Sequence, residues 1–385
     1  MSVRIGSILG DLKPGYATSD DLADGVFQIR MNNVTRDGHL DLTKKRRVLA
    51  TDRQRQQQSL RVGDVIFNAT NSPELVGKSA LIRHLDEPTV FSNHFFRLRV
   101  DPQQMHPDYL SNFLRFEFSR GTFRGLARQW VSQAAVSRES LESVVIRVPP
   151  LPEQRRIAAI LDQADDLRSK RRRALALLDE LADSAFAELH AHSAGVVSIR
   201  TLEELGTWKT GGTPSRKSPE YFSGPIPWAT SGELNSMFIN KTKEHISDTA
   251  VRESSVKLVP QGALMLGMYD TAALKSAIAS IPMACNQAIA FGVLDPKKAL
   301  PEYVYFAVQG QRQEVLLLQR GIRQKNLNLG IIKGISIRVP DIEVQRRFVA
   351  FIAQVNSWRL TCQSEIGRID ELFASLQHRA FRGEL

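Results

Sequence analysis

Two stretches of the chain place apolar residues at the three- and four-residue spacing of a long helix. From 151 to 192, Ile157, Ala164, Arg171, Leu178 and Ala185 fall on one seam position of a heptad, with Ile160, Leu167, Ala174 and Leu181 on the other. From 341 to 385 the same register takes Phe348, Val355, Cys362, Ile369 and Leu376, with Phe351, Trp358 and Leu372 alongside. Sustained over five turns or more, this spacing predicts a coiled-coil seam. Arg171 and Glu365 interrupt it; opposed in a helix pair, they would fix its register. Pro149, Pro150 and Pro152 end a strand and open the first helix, since proline is tolerated at a helix start but not inside. About forty helical residues reach roughly 60 Å, and such a helix is stable only when its apolar face is packed. Each helix is therefore expected to pack antiparallel on the other and to hold the globular parts at opposite ends of a rod.

The helices are copies. At a constant offset of 191 residues, 146–186 aligns on 337–377 without a gap and with 14 of 41 positions identical. "IRVPPLPEQRRIAAIL" thus recurs as "IRVPDIEVQRRFVAFI", and Asp-Glu-Leu recurs further on. Asp341 replaces a proline in the second copy and suits a helix cap. Fainter echoes lie upstream: Lys78-Ser79-Ala80 against Lys275-Ser276-Ala277, "HPDYLSNFL" against "LPEYVYFAV", and Gln133 against Gln324. A repeat on this scale organises the whole chain. Four segments follow: a globular part over 1–150, a helix over 151–192, a second globular part over 193–340 and a second helix over 341–385.

Both globular parts read as mixed α/β (α+β). "DGVFQIR" and "GDVIFNA" predict strands in the first, and "GALMLGMY" and "AIAFGVL" in the second. "HPDYLSNFLRFEF" and "LPEYVYFAVQ" predict short helices, and glycine- and proline-rich loops separate the elements, notably over 209–228.

Composition narrows the class. A hydrophobic content of 42% suits a soluble protein with real cores, and no apolar run approaches a membrane span. No signal-peptide pattern opens the chain, so a cytoplasmic protein is expected. Cys285 and Cys362 make neither a disulfide framework nor a metal quartet. The net charge of +10 points towards a polyanionic partner.

Catalytic motifs are missing. Gly77-Lys78-Ser79 resembles the end of a phosphate-binding loop, but Ser72 stands where that loop needs a glycine. Val148 and Leu151 flank Pro149-Pro150 where a DNA-methyltransferase signature needs an acid or amide and an aromatic residue. No acidic-x-Lys triplet follows Pro107-Asp108 before the first helix, or Pro340-Asp341 at all, as a common nuclease pattern requires. No G-x-S-x-G or zinc spacing occurs. His190 and His192 read as solvated histidines, and Cys285 as a small core residue.

Binding chemistry remains. In "LTKKRRVLATDRQRQQQ", Lys44, Lys45, Arg46 and Arg47 could neutralise phosphates while the glutamines reach base edges, or the run could be a solvated loop. Gly211 and Gly212, with Lys209, Thr213, Ser215, Arg216 and Lys217, would let backbone amides, hydroxyls and cations approach a phosphate. Lys78 with Ser79, and Lys275, are candidates because they recur in divergent halves. Arg128 with Gln133, and Arg323 with Gln324 and Lys325, form a second recurring polar element, with loop hydrogen bonding as the alternative. Arg168, Lys170, Arg171, Arg172 and Arg173 read as a solvated helix face, or as one lying over DNA or an acidic partner.

"VPPLPEQRRIAAIL" and the ending "LFASLQHRAFRGEL" resemble regions of the specificity subunits of type I restriction-modification enzymes, and the order of globular parts and helices matches that family over essentially the whole chain. The resemblance implies two target-recognition domains, each reading half of a bipartite site in double-stranded DNA. It also implies a coiled-coil spacer that docks two methyltransferase subunits, which restriction subunits then join. S-adenosylmethionine and ATP with magnesium would belong to those partners and no cofactor to this chain. Because the globular halves diverge while the helices do not, an asymmetric target is expected. The rivals are a stand-alone methyltransferase or nuclease, which would need the missing motifs, and a coiled-coil scaffold that binds only proteins, which would lack salt-dependent DNA binding.

Overall fold

A computed structural model of the chain describes residues 1–191, 197–269, 273–321 and 327–385. It divides into two compact units, Met1–Arg173 with Gln363–Leu385, and Ala174–Cys362. Each unit contains one globular part and a half of each long helix, Leu151–Ala191 and Ile342–Arg382. The unit boundaries therefore fall within the helices and not at their ends. Among the described residues no helix is long and apolar enough to cross a membrane.

The two globular parts repeat one topology. In the first, an antiparallel sheet orders Leu9–Pro14, Phe95–Val100, Val65–Asn68 and Ser79–Leu81, and a smaller sheet orders Arg47–Val48, Val26–Ile29 and Thr89–Phe91. In the second, Gly206–Thr210, Ile289–Leu294, Leu264–Gly267 and Ser276–Ala279 take the same order, as do Glu244–Ile246, Ile226–Ala229 and Met283–Cys285. Each sheet there gains an edge strand, Phe238–Ile239 beside Ser276–Ala279 and Leu258–Val259 beside Met283–Cys285. The parallel pairing of Phe27 with Thr89 has its counterpart in that of Trp228 with Ala284. All four predicted strands form, and the predicted helices run over Pro107–Ser119 and Pro301–Gly321, the latter longer than its apolar pattern indicated.

The repeated motif has a structural reason. Its Ile-Arg-Val strand, Val145–Arg147, pairs antiparallel with Ser2–Arg4, and Ser336–Val339 pairs with Ser198–Thr201, so each globular part is closed by the strand that opened it. The glutamine of Gln-Arg-Arg then locks the helix start. Gln154 is fully buried; its Nε2 donates to the carbonyls of Pro149 (2.8 Å) and Gln104 (2.9 Å), and its Oε1 accepts from His106 N (2.8 Å). Gln345 does the same with Pro340 (2.9 Å), Lys298 (3.1 Å) and Leu300 N (3.0 Å). Tyr109 and Tyr303, from the two echoing helices, donate to the carbonyls of Arg147 and Arg338. Every polar atom of each buried amide is thus used, which is the condition for burying it.

Within each unit the long helices run antiparallel. Arg168 and Arg171 meet Asp370 (2.7 Å) and Glu365 (3.2 Å) in the first, so the two polar residues that break the seam do oppose each other. In the second, Phe186 packs on Phe348 with ring centroids 5.5 Å apart, and Arg359 meets Asp179 (3.4 Å). Arg168 and Arg359 are equivalent positions of the repeat, as are Asp179 and Asp370. The identities at these positions are therefore cross-pairs: the arginine of one copy meets the aspartate of the other.

One row of the heptad reading is corrected. Ile157, Phe348 and Val355 are buried, and Ala164, Leu178, Ile369 and Leu376 face inward and are half-buried, as is Ile160. Leu167, Leu181, Phe351, Trp358 and Leu372 are instead exposed, and Leu161, Ile352 and Phe373 occupy the interior. Each helix packs on a globular core as well as on its partner: Ile157, Leu161 and Phe373 join Tyr109 and Phe113 in one core. That widens the buried stripe and turns it by one residue from the strict two-row seam.

Asp165 anchors this junction in the first unit. It is buried and receives Arg115 (2.6 Å), Arg168 (2.9 Å) and His39 (3.2 Å), while Arg172 bridges Asp37 (2.7 Å) and Asp370 (3.2 Å). Burial by itself would raise the Asp165 carboxyl; the hydrogen bond from His39 and the Arg115 charge outweigh it and hold the group well below the usual carboxylate range.

Two tests follow from these contacts. Gln154→Leu leaves two carbonyls and one amide without partners, at about 1–3 kcal/mol for each group that water cannot reach; urea denaturation should show a clear loss, and an unchanged midpoint would contradict the clamp. The Asp165 carboxyl, depressed on folding, stabilises the chain fully above the unfolded aspartate value near 3.9 and progressively less as pH falls below it. Asp165→Asn should therefore lower stability at pH 7 and flatten its decline between about pH 4 and pH 2; parallel pH profiles for the two proteins would contradict this.

Candidate nucleic-acid interface

The basic run of the first unit is mostly occupied by its own chain. Lys45 and Arg47 both pair with Glu87, at 2.8 and 2.6 Å, and Arg46 donates to the carbonyls of Asp20 and Thr18. These bonds hold the Glu87 carboxyl below its ordinary range, the Arg47 hydrogen bond contributing most. Lys44 remains exposed. Lys78 is not a surface cation: its ammonium is buried and donates to the carbonyls of Val34 (2.6 Å) and Met31 (3.1 Å), and desolvation lowers its pKa. Ser79 is buried beside it. The echo of Lys78 in Lys275 is partial, since Lys275 is half-exposed and donates to Asn235 (2.8 Å).

The glutamines that follow the basic run form a surface helix. Thr51 caps Asp52–Gln58 by a reciprocal pair, its hydroxyl accepting from Gln54 N while Gln54 Oε1 accepts from Thr51 N (2.8 Å). Buried Arg97 pins the other end by donating to the carbonyls of Gln57 and Ser59, and itself pairs with Asp11. The helix buries no residue, leaving Arg53, Arg55, Gln56 and Gln57 in solvent. Arginine and glutamine suit guanine and adenine edges in a major groove. Its topological counterpart, Asp248–Glu253, is "DTAVRE", with buried Ala250 and acids at both ends. The frameworks match and the surfaces differ.

In the second unit, Gly211 and Gly212 are packed against backbone and do not form an open cradle. A Cβ on Gly211 would meet the Cys285 carbonyl oxygen at 2.2 Å, as one on Gly15 would meet that of Phe91 at 2.3 Å. These two glycines mark the same chain crossing in the two halves. The buried Cys285 thiol is pushed up to about 12 by desolvation. Thr213 donates to Gln287, and Arg216 makes a two-point contact with Glu244 (2.6 and 2.8 Å) while stacking on Phe222 and Trp228. Lys209, Ser215 and Lys217 are exposed. Arg323, Gln324 and Lys325 lie outside the described residues, as do His192 and the His190 side chain.

Arg128 and Gln133 come together on a hairpin, Arg128–Gln129 with Ala134–Ala135, that joins the strand Thr70–Asn71. The residues at its tip, Trp130 and Val131, drew no assignment from the sequence, and the structure leaves both exposed. The cationic face of the first long helix is largely paired: Lys170 meets Asp166 (2.7 Å), and Arg168, Arg171 and Arg172 bind the carboxylates named above. Among the described residues no group of three or more His, Cys, Asp or Glu could hold a metal ion.

Equivalent clefts open beside the long helices in the two units. The first, about 520 Å³, is lined by Arg36, Arg115, Arg124, Arg168, Asp370 and Phe373. The second, about 560 Å³, has Arg359, Asp179 and Ala182 at the positions matching Arg168, Asp370 and Phe373, with Asp183, Tyr305 and Phe306. The Arg–Asp pair recurs, while the remaining wall of the first cleft holds four arginines with Asp37 and Glu74, and that of the second is mostly apolar and aromatic with the one further charge of Asp183.

Comparisons with known proteins agree with this architecture. The chain is 26% identical over 255 residues to the specificity subunit of the type I restriction enzyme EcoR124I/EcoR124II of Escherichia coli, covering 63% of this chain and 61% of that protein. It thus spans about three fifths of that relative's length. The crystal structure of the S subunit of a type I restriction-modification system from M. genitalium superposes with a TM-score of 0.65 at 13% identity, covering 99% of this chain and 96% of that one. A chain from a structure of complex assembly and conformational transition in the type I R-M system gives a TM-score of 0.59 at 17% identity, covering 100% and 98%. Identities this low speak for the fold alone. The family model of the type I restriction modification DNA specificity domain matches residues 43–176 and 196–369. With both halves matched over most of their length, the chain belongs to the family of type I restriction-modification DNA specificity domains.

Proposed function

We propose that this chain is the non-catalytic, sequence-choosing subunit of a type I restriction-modification enzyme, reading a bipartite and asymmetric site in double-stranded DNA with one half-site per unit. The observation that carries this reading is the contrast between framework and surface. The order of the shared strands, the closing strand and the buried glutamine are the same in both halves, whereas the equivalent surface helices, "DRQRQQQ" and "DTAVRE", have only their first residue in common. Divergent surfaces on one scaffold favour two different half-sites.

The same reading assigns the spacer to the long helices and the chemistry to partners. Leu167, Leu181, Phe351, Trp358 and Leu372 are exposed along helices whose inner stripe is already buried, and apolar area of this kind suits a protein partner. Two methyltransferase subunits would dock against these helices and the duplicated clefts, bringing S-adenosylmethionine, and restriction subunits would bring ATP and magnesium. Placed in a cytoplasmic complex of this sort, the chain needs no cofactor of its own.

Methylome sequencing of a strain with and without this gene tests the proposal. The expected result is a single bipartite motif with two unlike half-sites that vanishes with the gene; a palindromic motif, or no change, would contradict it. Four residues added at matched positions of both long helices, about 6 Å of helix, should lengthen the unspecified spacer by about one or two base pairs at ~3.4 Å each. An active variant with the original spacing would overturn the ruler role.

A further inference from the structure

We propose that the hairpin Arg128–Ala135 enters the major groove and that Trp130 and Val131 at its tip determine sequence preference in the half-site read by the first unit. This rests on the DNA-recognition reading above and names the side chains that carry part of it.

The hairpin is a short ribbon on a fixed base. Its two strands are joined by a turn in which Trp130 N donates to the Gln133 carbonyl (2.7 Å), and Ala134–Ala135 pairs with Thr70–Asn71. Ala134 and Val136 are buried, Val136 N donates to the Ala69 carbonyl (2.9 Å), and just upstream Phe123 packs edge-on against Phe67 in the core. The tip is the opposite: Trp130 is 60% exposed and Val131 wholly so. The protein's other tryptophans in the globular parts are handled differently. Trp208 and Trp228 are buried, and each indole N–H donates to a backbone carbonyl, of Leu202 (2.7 Å) and Gly212 (3.1 Å).

A rigid hairpin that holds a tryptophan and a valine in water gains nothing from them in folding. The surroundings indicate what covers them. Between Glu117 and Glu139 the chain carries four arginines and no carboxylate; Arg120 and Arg138 pair with Glu117 and Glu142, Arg124 and Arg128 are exposed, and Gln129 and Gln133 flank the tip. Cations at the base suit phosphates, amides suit base edges, and a two-stranded ribbon fits the major groove. There the valine methyls can pack on a thymine methyl, and the tryptophan can lie against neighbouring base edges with its N–H facing their acceptors. An acidic or apolar protein surface would match the arginines or the tip, but DNA matches both together with the amides.

The test uses the assembly of this chain with its methyltransferase subunits, as wild type, Trp130→Ala and Val131→Ser. Binding is measured to a duplex carrying the methylated motif and to duplexes altered in one half-site at a time. Both substituted positions are solvent-exposed, and circular dichroism with size-exclusion should show unchanged folding and assembly. Each variant should bind the motif about five- to a hundredfold more weakly and lose discrimination within one half-site only, the other being read as before. Wild-type affinity with both half-sites still discriminated would overturn the proposal, as would an equal loss on every sequence, which indicates a backbone contact. Loss of methyltransferase assembly with discrimination intact would make the tip a protein-docking element and overturn it too. A wild-type assembly that discriminates no sequence would sink the DNA-recognition reading itself, a result distinct from all of these.

Discussion

A helix of 41 residues keeps its shape in water only if a stripe along its whole length is buried, and this chain has two of them. Each is covered on one side by the other helix and on another by a globular core. Ile157 and Leu161 of the first helix and Phe373 and Ala380 of the last share the core of the first unit, and Phe348 and Ile352 of the last helix fill that of the second with Phe186 packed on them. Neither globular part is therefore completed by its own copy of the repeat alone. The end of the other copy's helix supplies the remaining wall.

This exchange accounts for the buried and ion-paired positions that stayed alike after duplication. Gln154 and Gln345 fix where each helix leaves its domain, and Arg168 with Asp370, and Arg359 with Asp179, fix how the helices meet. On the globular surfaces the residues free of both duties have diverged, whereas along the helices some exposed ones, Gln163 with Gln354 and Leu181 with Leu372 among them, stay alike. The surface helix is "DRQRQQQ" in one half and "DTAVRE" in the other, and the equivalent clefts differ in their walls, one rich in arginine and the other mostly apolar and aromatic. A scaffold that fixes its helix joints and releases its surfaces can change what it binds without losing its fold.

The long helices, the repeat and the mixed α/β character of the halves were legible because periodicity and apolar runs are local signals. What was not legible depended on partners distant in the chain. The heptad reading missed Leu161, Ile352 and Phe373 because the globular cores, and not the opposing helix alone, set the buried stripe. Four consecutive cations looked equivalent, yet Glu87, forty positions away, engages two of them, and the carbonyls of Asp20 and Thr18 engage a third. Lys78 looked like a surface contact and is a buried tie to two carbonyls, and the Gly211-Gly212 pair looked like a phosphate cradle and is a chain crossing. Trp130 went unnoticed for the converse reason: composition cannot distinguish an exposed tryptophan from a core one.

The exchange of helix ends is tested most directly by hydrogen exchange on a chain that stops at Cys362, compared with the full chain. Without Gln363–Leu385, Phe381 no longer packs on Tyr109, Phe113 and Phe116, and Phe373 no longer fills the core beside Ile157. Protection should collapse over Pro107–Ser119 and over the strands Val65–Asn68 and Phe95–Val100, while Leu264–Gly267 and Ile289–Leu294 stay protected. Full protection of the first unit in the shortened chain would show that each domain is complete on its own and would contradict this account.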